Sequence, residues 1–207
     1  MAKKLTTKET RLTLIKYTAD EIVKRSNSLE QTRKQIQLIE KTKKFFGLTS
    51  KDLNDISRIL EFKILIGLIS LDLTTSVRAY LKAEYQYEGQ FFLRQFAVVI
   101  NEGYKKIYNF KKSNPDGTAV SGNRAKSFWV KEIGSMVNER NNINLFNRYS
   151  ELTKELDRYF ELNFEGIKEK RDLSIHYDKD LLKVYEMIVN LNSESLIKKF
   201  IPFYELL

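Results

Sequence analysis

Cysteine is absent from all 207 residues, which removes disulfide cross-links, thiolate metal sites and a cysteine nucleophile together. Histidine occurs once, as His176, so a histidine-rich metal site cannot be assembled within a single chain, and neither metal nor cofactor is expected. Proline occurs only at Pro115 and Pro202, which leaves no helix-breaking ring in the long stretch before Pro115. Glycine loops that cradle phosphates are missing too. Gly117 and Gly122 belong to a turn-rich stretch with no GxGxxG or Walker pattern, which argues against an ATP-dependent enzyme. The most apolar window, ILEFKILIGLISLDL from Ile59 to Leu73, is interrupted by Glu61, Lys63 and Asp72, charges that a lipid-exposed span rarely tolerates. It is expected to be a buried core helix, with no membrane partner. The start, MAKKLTTKETRLTL, leads into no apolar signal region, so a cytoplasmic location is the default expectation.

What is present is helical patterning. Apolar residues recur at helical rather than alternating spacing at Leu12, Ile15, Ala19 and Ile22, at Leu152, Leu156 and Tyr159, and at Leu181, Tyr185 and Ile188. An all-α fold follows, an up-and-down helical bundle formed by one domain over residues 1–207. A first helix is expected from about Thr10 to Arg25 and a second from Leu29 to about Phe45, separated by Ser26-Asn27-Ser28. In LTSKDL, Thr49 is placed to cap the next helix, with Asp52 at its third position and Leu48 and Leu53 as a hydrophobic staple. That helix is expected to end near Leu73. The aromatic-rich run from about Thr75 to Phe110 is expected to kink or divide near Gly89, its rings serving mainly as core packing rather than as a platform for bases.

The clearest loop is KKSNPDGTAVSGN, Lys111 to Asn123, with an Asn-Pro-Asp-Gly turn. After it come helices expected near Ala125 to Val137 and Leu145 to Phe160, a segment Phe164 to Ile175, and a last helix from about Lys179 to Ile197. Trp129 is expected to anchor the core or an interface, and the apolar end IPFYELL either packs in cis or docks on a partner. Glu151, Glu155 and Glu102 read as partners of neighbouring basic residues along their helices rather than as catalytic dyads.

The net charge is +9, and most of the excess is local. Between Lys105 and Lys131 seven basic residues, Lys105, Lys106, Lys111, Lys112, Arg124, Lys126 and Lys131, stand against the single acid Asp116. A basic loop flanked by basic helix ends is suited to tracking phosphates, because each counterion released from a nucleic acid favours binding and makes it sensitive to salt. A polyanion such as nucleic acid is therefore the expected class of partner, with Lys105, Lys106, Lys111, Lys112, Arg124 and Lys126 as candidate contacts; the same charges would also suit a loop that merely stays solvated.

The lone histidine lies in RDLSIHYD, Arg171 to Asp178. If this stretch is helical, Asp172 and His176 share a face, and the carboxylate can fix the imidazole tautomer while the other ring nitrogen transfers protons. Spacing alone does not bring Arg171 to the same face. Cleavage of an RNA phosphodiester needs a base at the 2′-hydroxyl, an acid at the leaving 5′-oxygen and positive charge on the phosphorane, which imidazole and guanidinium can supply without metal. One imidazole per chain is thin for two proton transfers, so a dimer pairing two copies of His176 is an economical solution.

The stretch Arg171-Asp172-Leu173-Ser174-Ile175-His176 resembles the motif of the HEPN superfamily, an arginine followed by a polar residue and, after four to six residues, a histidine. The resemblance implies a compact helical bundle and a metal-independent endoribonuclease formed by a homodimer, of the kind found in toxin–antitoxin and abortive-infection systems, often beside a nucleotidyltransferase-type antitoxin. It implies a phosphate-binding or catalytic role for Arg171, a catalytic role for His176 and an orienting role for Asp172. Tyr177 is expected to pack under the last helix. The alternative from another class is a non-catalytic helical module of similar fold that binds RNA or a protein.

Overall fold

The computed structural model describes residues 8–47, 50–109, 112–113, 119–120, 124–163, 167 and 181–207. These form an all-helical, up-and-down bundle, as the periodicity predicts. Seven α-helices are seen among the described residues: α1 (Lys8–Phe46), α2 (Lys51–Lys82), α3 (Gln86–Ile107), α4 (Ser135–Arg140), α5 (Ile143–Asn163), α6 (Leu181–Val189) and α7 (Ser193–Leu206). A 3₁₀ turn at Arg124–Lys126 and a π-helical turn at Trp129–Gly134 precede α4. The basic loop is not wholly irregular, since β1 (Lys112–Ser113) pairs antiparallel with β2 (Ala119–Val120) in the register Lys112 to Val120. No described helix is long and apolar enough to cross a membrane.

Several boundaries differ from those expected, each for a local reason. Ser26, Asn27 and Ser28 do not interrupt α1, which runs unbroken for 39 residues. All three are exposed, and each costs at most about 0.7 kcal/mol in helix propensity, which flanking pairs offset in part and which a helix already propagating on both sides tolerates. Arg25 pairs with Glu21 at 3.3 Å and Arg33 with Glu30 at 2.7 Å. Ser50 caps α2, its hydroxyl accepting from the Leu53 amide at 3.2 Å; Leu48 and Thr49 lie outside the described residues.

The second helix continues past Leu73 to Lys82, and the division falls at residues 83–85 rather than at Gly89. There Arg11 caps the helix end, donating to the carbonyls of Leu81 at 2.5 Å and Ala83 at 2.6 Å, two of the acceptors a helix C-terminus leaves open. The last expected helix is two. Asn192 breaks it with an extended backbone, and its side chain accepts from the amides of Glu194 at 2.9 Å and Ser195 at 3.4 Å.

The described residues fall into two compact units, one drawn from Met1–Ser26, Ile69–Asn101 and Glu161–Leu207, the other from Asn27–Leu68 and Glu102–Phe160. In the first, Leu93, Ala97 and Leu196 form a buried cluster against Tyr80 and Leu191, and Val184 and Ile188 pack with Met187. The IPFYELL end packs in cis: Phe203 is fully buried, Phe200 meets Phe96 at 4.6 Å, and Arg25 lies over the Tyr204 ring at 4.8 Å. Ile167 is also fully buried.

In the second unit Trp129 is the anchor that the sequence suggests. Its indole stacks on Tyr149 at 5.0 Å, meets Phe62 at 5.6 Å, and donates to the Thr153 hydroxyl at 2.9 Å. Arg140 ties α4 to the start of α2 through Asp52 at 2.5 Å and Asp55 at 2.6 Å.

Truncating a fully buried aromatic leaves a cavity that its surroundings fill only in part. Phe203→Ala is therefore expected to lower unfolding free energy by about 3–5 kcal/mol, read from urea denaturation, and a loss below about 1 kcal/mol would contradict docking of α7 in cis.

Candidate nucleic-acid interface

The second unit contains an open pocket of about 450 Å³ with walls from separate parts of the chain. One wall is a single stripe of α2, Glu61, Ile64, Leu65 and Leu68, residues whose spacing places them on one helix face. Opposite chain segments supply Lys106 from the last turn of α3, Lys126 from the 3₁₀ turn, and Phe128, Lys131 and Glu132 at the π-helical turn. A larger hollow at the end of α1 is lined by Lys41, Thr42, Lys44, Phe45 and Phe46. Its described walls all come from α1.

A π-turn adds a residue to a helical turn and so re-aims the side chains around it; such turns are often found at functional sites. Here it buries Trp129 and Ile133 while leaving Lys131 exposed. Gly134 permits the geometry, because a Cβ at that position would lie 2.6 Å from the Tyr149 hydroxyl, whose ring is already stacked on Trp129. Phe128 stacks on Phe62 at 5.5 Å, which fixes the apolar side of the pocket.

Three of the seven clustered basic residues thus reach one place, Lys106, Lys126 and Lys131. Glu132 is answered by Lys131 at 3.2 Å and by Arg58 at 3.6 Å. Neither Lys106 nor Lys126 has an ion-pair partner among the described residues, so both ammonium groups are available to an anion. Lys105 is half-exposed and pairs with Glu102 at 3.7 Å.

Arg124, expected at the interface, is instead engaged inside the unit. Its guanidinium lies 4.1 Å from the centre of the Tyr108 ring, donates to the Tyr108 hydroxyl at 3.1 Å and is paired with Asp157. Arg171, Asp172, His176, Tyr177 and Lys111 lie outside the described residues, as does the side chain of Lys112.

The α2 wall corrects one expectation. The window from Ile59 to Leu73 is not uniformly core, since Leu73 is fully buried but Ile59 and Leu68 are each about half exposed. Glu61, which interrupts the run, marks its open face. Among the described residues no group of three or more acidic or histidine side chains converges as a metal site. Comparisons with protein-family models, curated proteins and solved structures find no match to the chain.

Burial raises the Tyr108 phenol to about 12; the Arg124 cation pulls the other way, and the Asp157 carboxylate adds to the rise. Burial likewise pushes the Tyr104 and Tyr159 phenols up. A folded-state value above the unfolded one means that the stabilisation is full below pH 10 and is lost as pH climbs from 10 to about 12. In urea titrations across this window Tyr108→Phe is expected to lose less stability with rising pH than the wild type. Parallel losses in the two proteins would show that Tyr108 is not the responsible group.

Proposed function

We propose that this protein binds RNA and cleaves it without metal, as an endoribonuclease of the HEPN type. The observation that carries the RNA component is the convergence of Lys106, Lys126 and Lys131 on one pocket beside apolar side chains. Phosphates supply the matching charge, and bases supply flat apolar faces. Cleavage rests on the sequence: Arg171 holds the phosphate, His176 transfers the proton, and Asp172 orients the imidazole. Two proton transfers and one imidazole per chain favour a homodimer that shares its two motifs. By its resemblance to HEPN proteins the activity belongs to a toxin or phage-defence component, with a nucleotidyltransferase-type antitoxin as a partner that restrains it.

A second reading, RNA binding without cleavage, is favoured by the described lining of the pocket, where Lys106, Lys126 and Lys131 beside apolar side chains suffice for binding.

The two readings separate in one set of assays. Purified protein in excess EDTA is expected to cleave total RNA, while Arg171→Ala and His176→Ala each abolish cleavage and keep the helical circular dichroism. Unchanged cleavage by both variants would remove the catalytic assignment, and cleavage by none of the proteins, with binding intact, would leave the binding module. Replacing Lys106, Lys126 and Lys131 together by Gln is expected to lower the slope of log affinity against log salt by about two for single-stranded RNA. An unaltered slope would exclude this pocket as the phosphate contact.

A further inference from the structure

The two carboxylates that line the pocket are not equivalent. Glu132 is paired with Lys131 and Arg58 and therefore serves to hold cations in place. Glu61 is exposed, lines the same pocket, and has no cation or hydrogen-bond donor among the described residues. An anion-binding pocket gains nothing from a free carboxylate at its phosphate end, where the two would repel. The carboxylate is useful to a ligand that carries a phosphate on one side and hydrogen-bond donors on the other.

A nucleotide has that polarity. Its phosphate suits Lys106, Lys126 and Lys131, its base suits the apolar surface of Ile64, Leu65, Leu68 and Phe128, and a base edge is left to face Glu61. An ionised carboxylate only accepts, through two oxygens side by side. Guanine alone among the four bases presents two adjacent donors, N1–H and the N2 amino group, that match both oxygens at once. Adenine and cytosine offer one exocyclic amino group beside a ring nitrogen that accepts. Uracil offers a single N3–H between two carbonyl oxygens that repel the carboxylate. Such edges are accessible only where the base is unpaired. The volume of about 450 Å³ lies within the range of small-ligand sites.

We propose that the pocket between the α2 stripe and the π-helical turn is a subsite for a guanosine nucleotide of single-stranded RNA, with Glu61 reading the N1–H and N2–H edge. The proposal rests on the RNA-binding reading and assigns it a base. It applies whether or not the bound RNA is cut.

The test is competition against a fluorescent, 5′-phosphorylated, uridine-only RNA, followed by anisotropy in EDTA with the His176→Ala protein. GMP is expected to displace this probe at about one-tenth the concentration that UMP needs, in line with one good bidentate contact. Adding Glu61→Gln should bring the two concentrations within about twofold, because the amide replaces one acceptor by a donor. Adding Lys126→Gln should weaken GMP and UMP alike. Equal displacement by GMP and UMP, or a preference that survives Glu61→Gln, overturns the guanosine assignment while the RNA-binding reading stands. Failure of both this probe and a guanosine-containing one of the same length to bind at all overturns both. Glu61 is exposed, so Glu61→Gln is expected to keep the wild-type urea midpoint, and a shifted midpoint with the preference lost would assign Glu61 to the fold and reject its reading role.

Discussion

The second unit depends on how Trp129 is held. Its indole has Tyr149 stacked against it, Phe62 beside it, and the Thr153 hydroxyl accepting its N–H, so both its apolar area and its one polar atom are satisfied. The consequence is a fixed point from which the π-helical turn departs. Gly134 lets Tyr149 approach, Phe128 lies on Phe62 just before the indole, and Lys131 is left facing solvent just after it. One buried aromatic thus sets the position of a basic and an apolar wall together. The opposite wall needs no such device, because helical spacing alone places Glu61, Ile64, Leu65 and Leu68 on one face of α2.

The chemistry of the pocket follows from which charges are already answered. Burial and pairing hold Arg124 against Asp157 and Tyr108, and Glu132 is held by Arg58 and Lys131. These contacts serve the fold. Among the described residues Lys106, Lys126 and Glu61 have no ion-pair partner and surround a shared apolar surface, an arrangement that a ligand with an anionic group and hydrogen-bond donors would complete. Counting basic residues along the chain could not make this distinction, because Arg124 and Lys126 are neighbours in sequence with opposite fates.

The fold class was legible because the apolar period persists through nearly every segment, and so was the anchoring role of Trp129, whereas an apolar end such as IPFYELL fits packing in cis and docking on a partner equally until its neighbours are seen. Boundaries were less so. Ser26-Asn27-Ser28 looks like a break only while local propensity is considered alone, and a long helix with ion pairs on either side absorbs it. The end of α2 is set by Arg11, and the end of α6 lies just before a cap formed by Asn192; the first of these partners is remote in sequence and carries no local signal. The convergence of Lys106, Lys126 and Lys131 was half legible. Their clustering in sequence was visible, whereas the α2 wall was hidden in a run that composition assigns to the core. The charge of Glu61 within that run was the available clue.

The central claim is that RNA is held in the pocket bounded by α2 and the π-helical turn. The most direct measurement is photocrosslinking of a single-stranded RNA carrying one 6-thioguanosine, followed by mass spectrometry of the attached peptides. Adducts on the peptides containing Glu61 to Leu68 and Lys126 to Glu132 are the expected result. Adducts confined to peptides that contain none of the pocket residues would contradict the account.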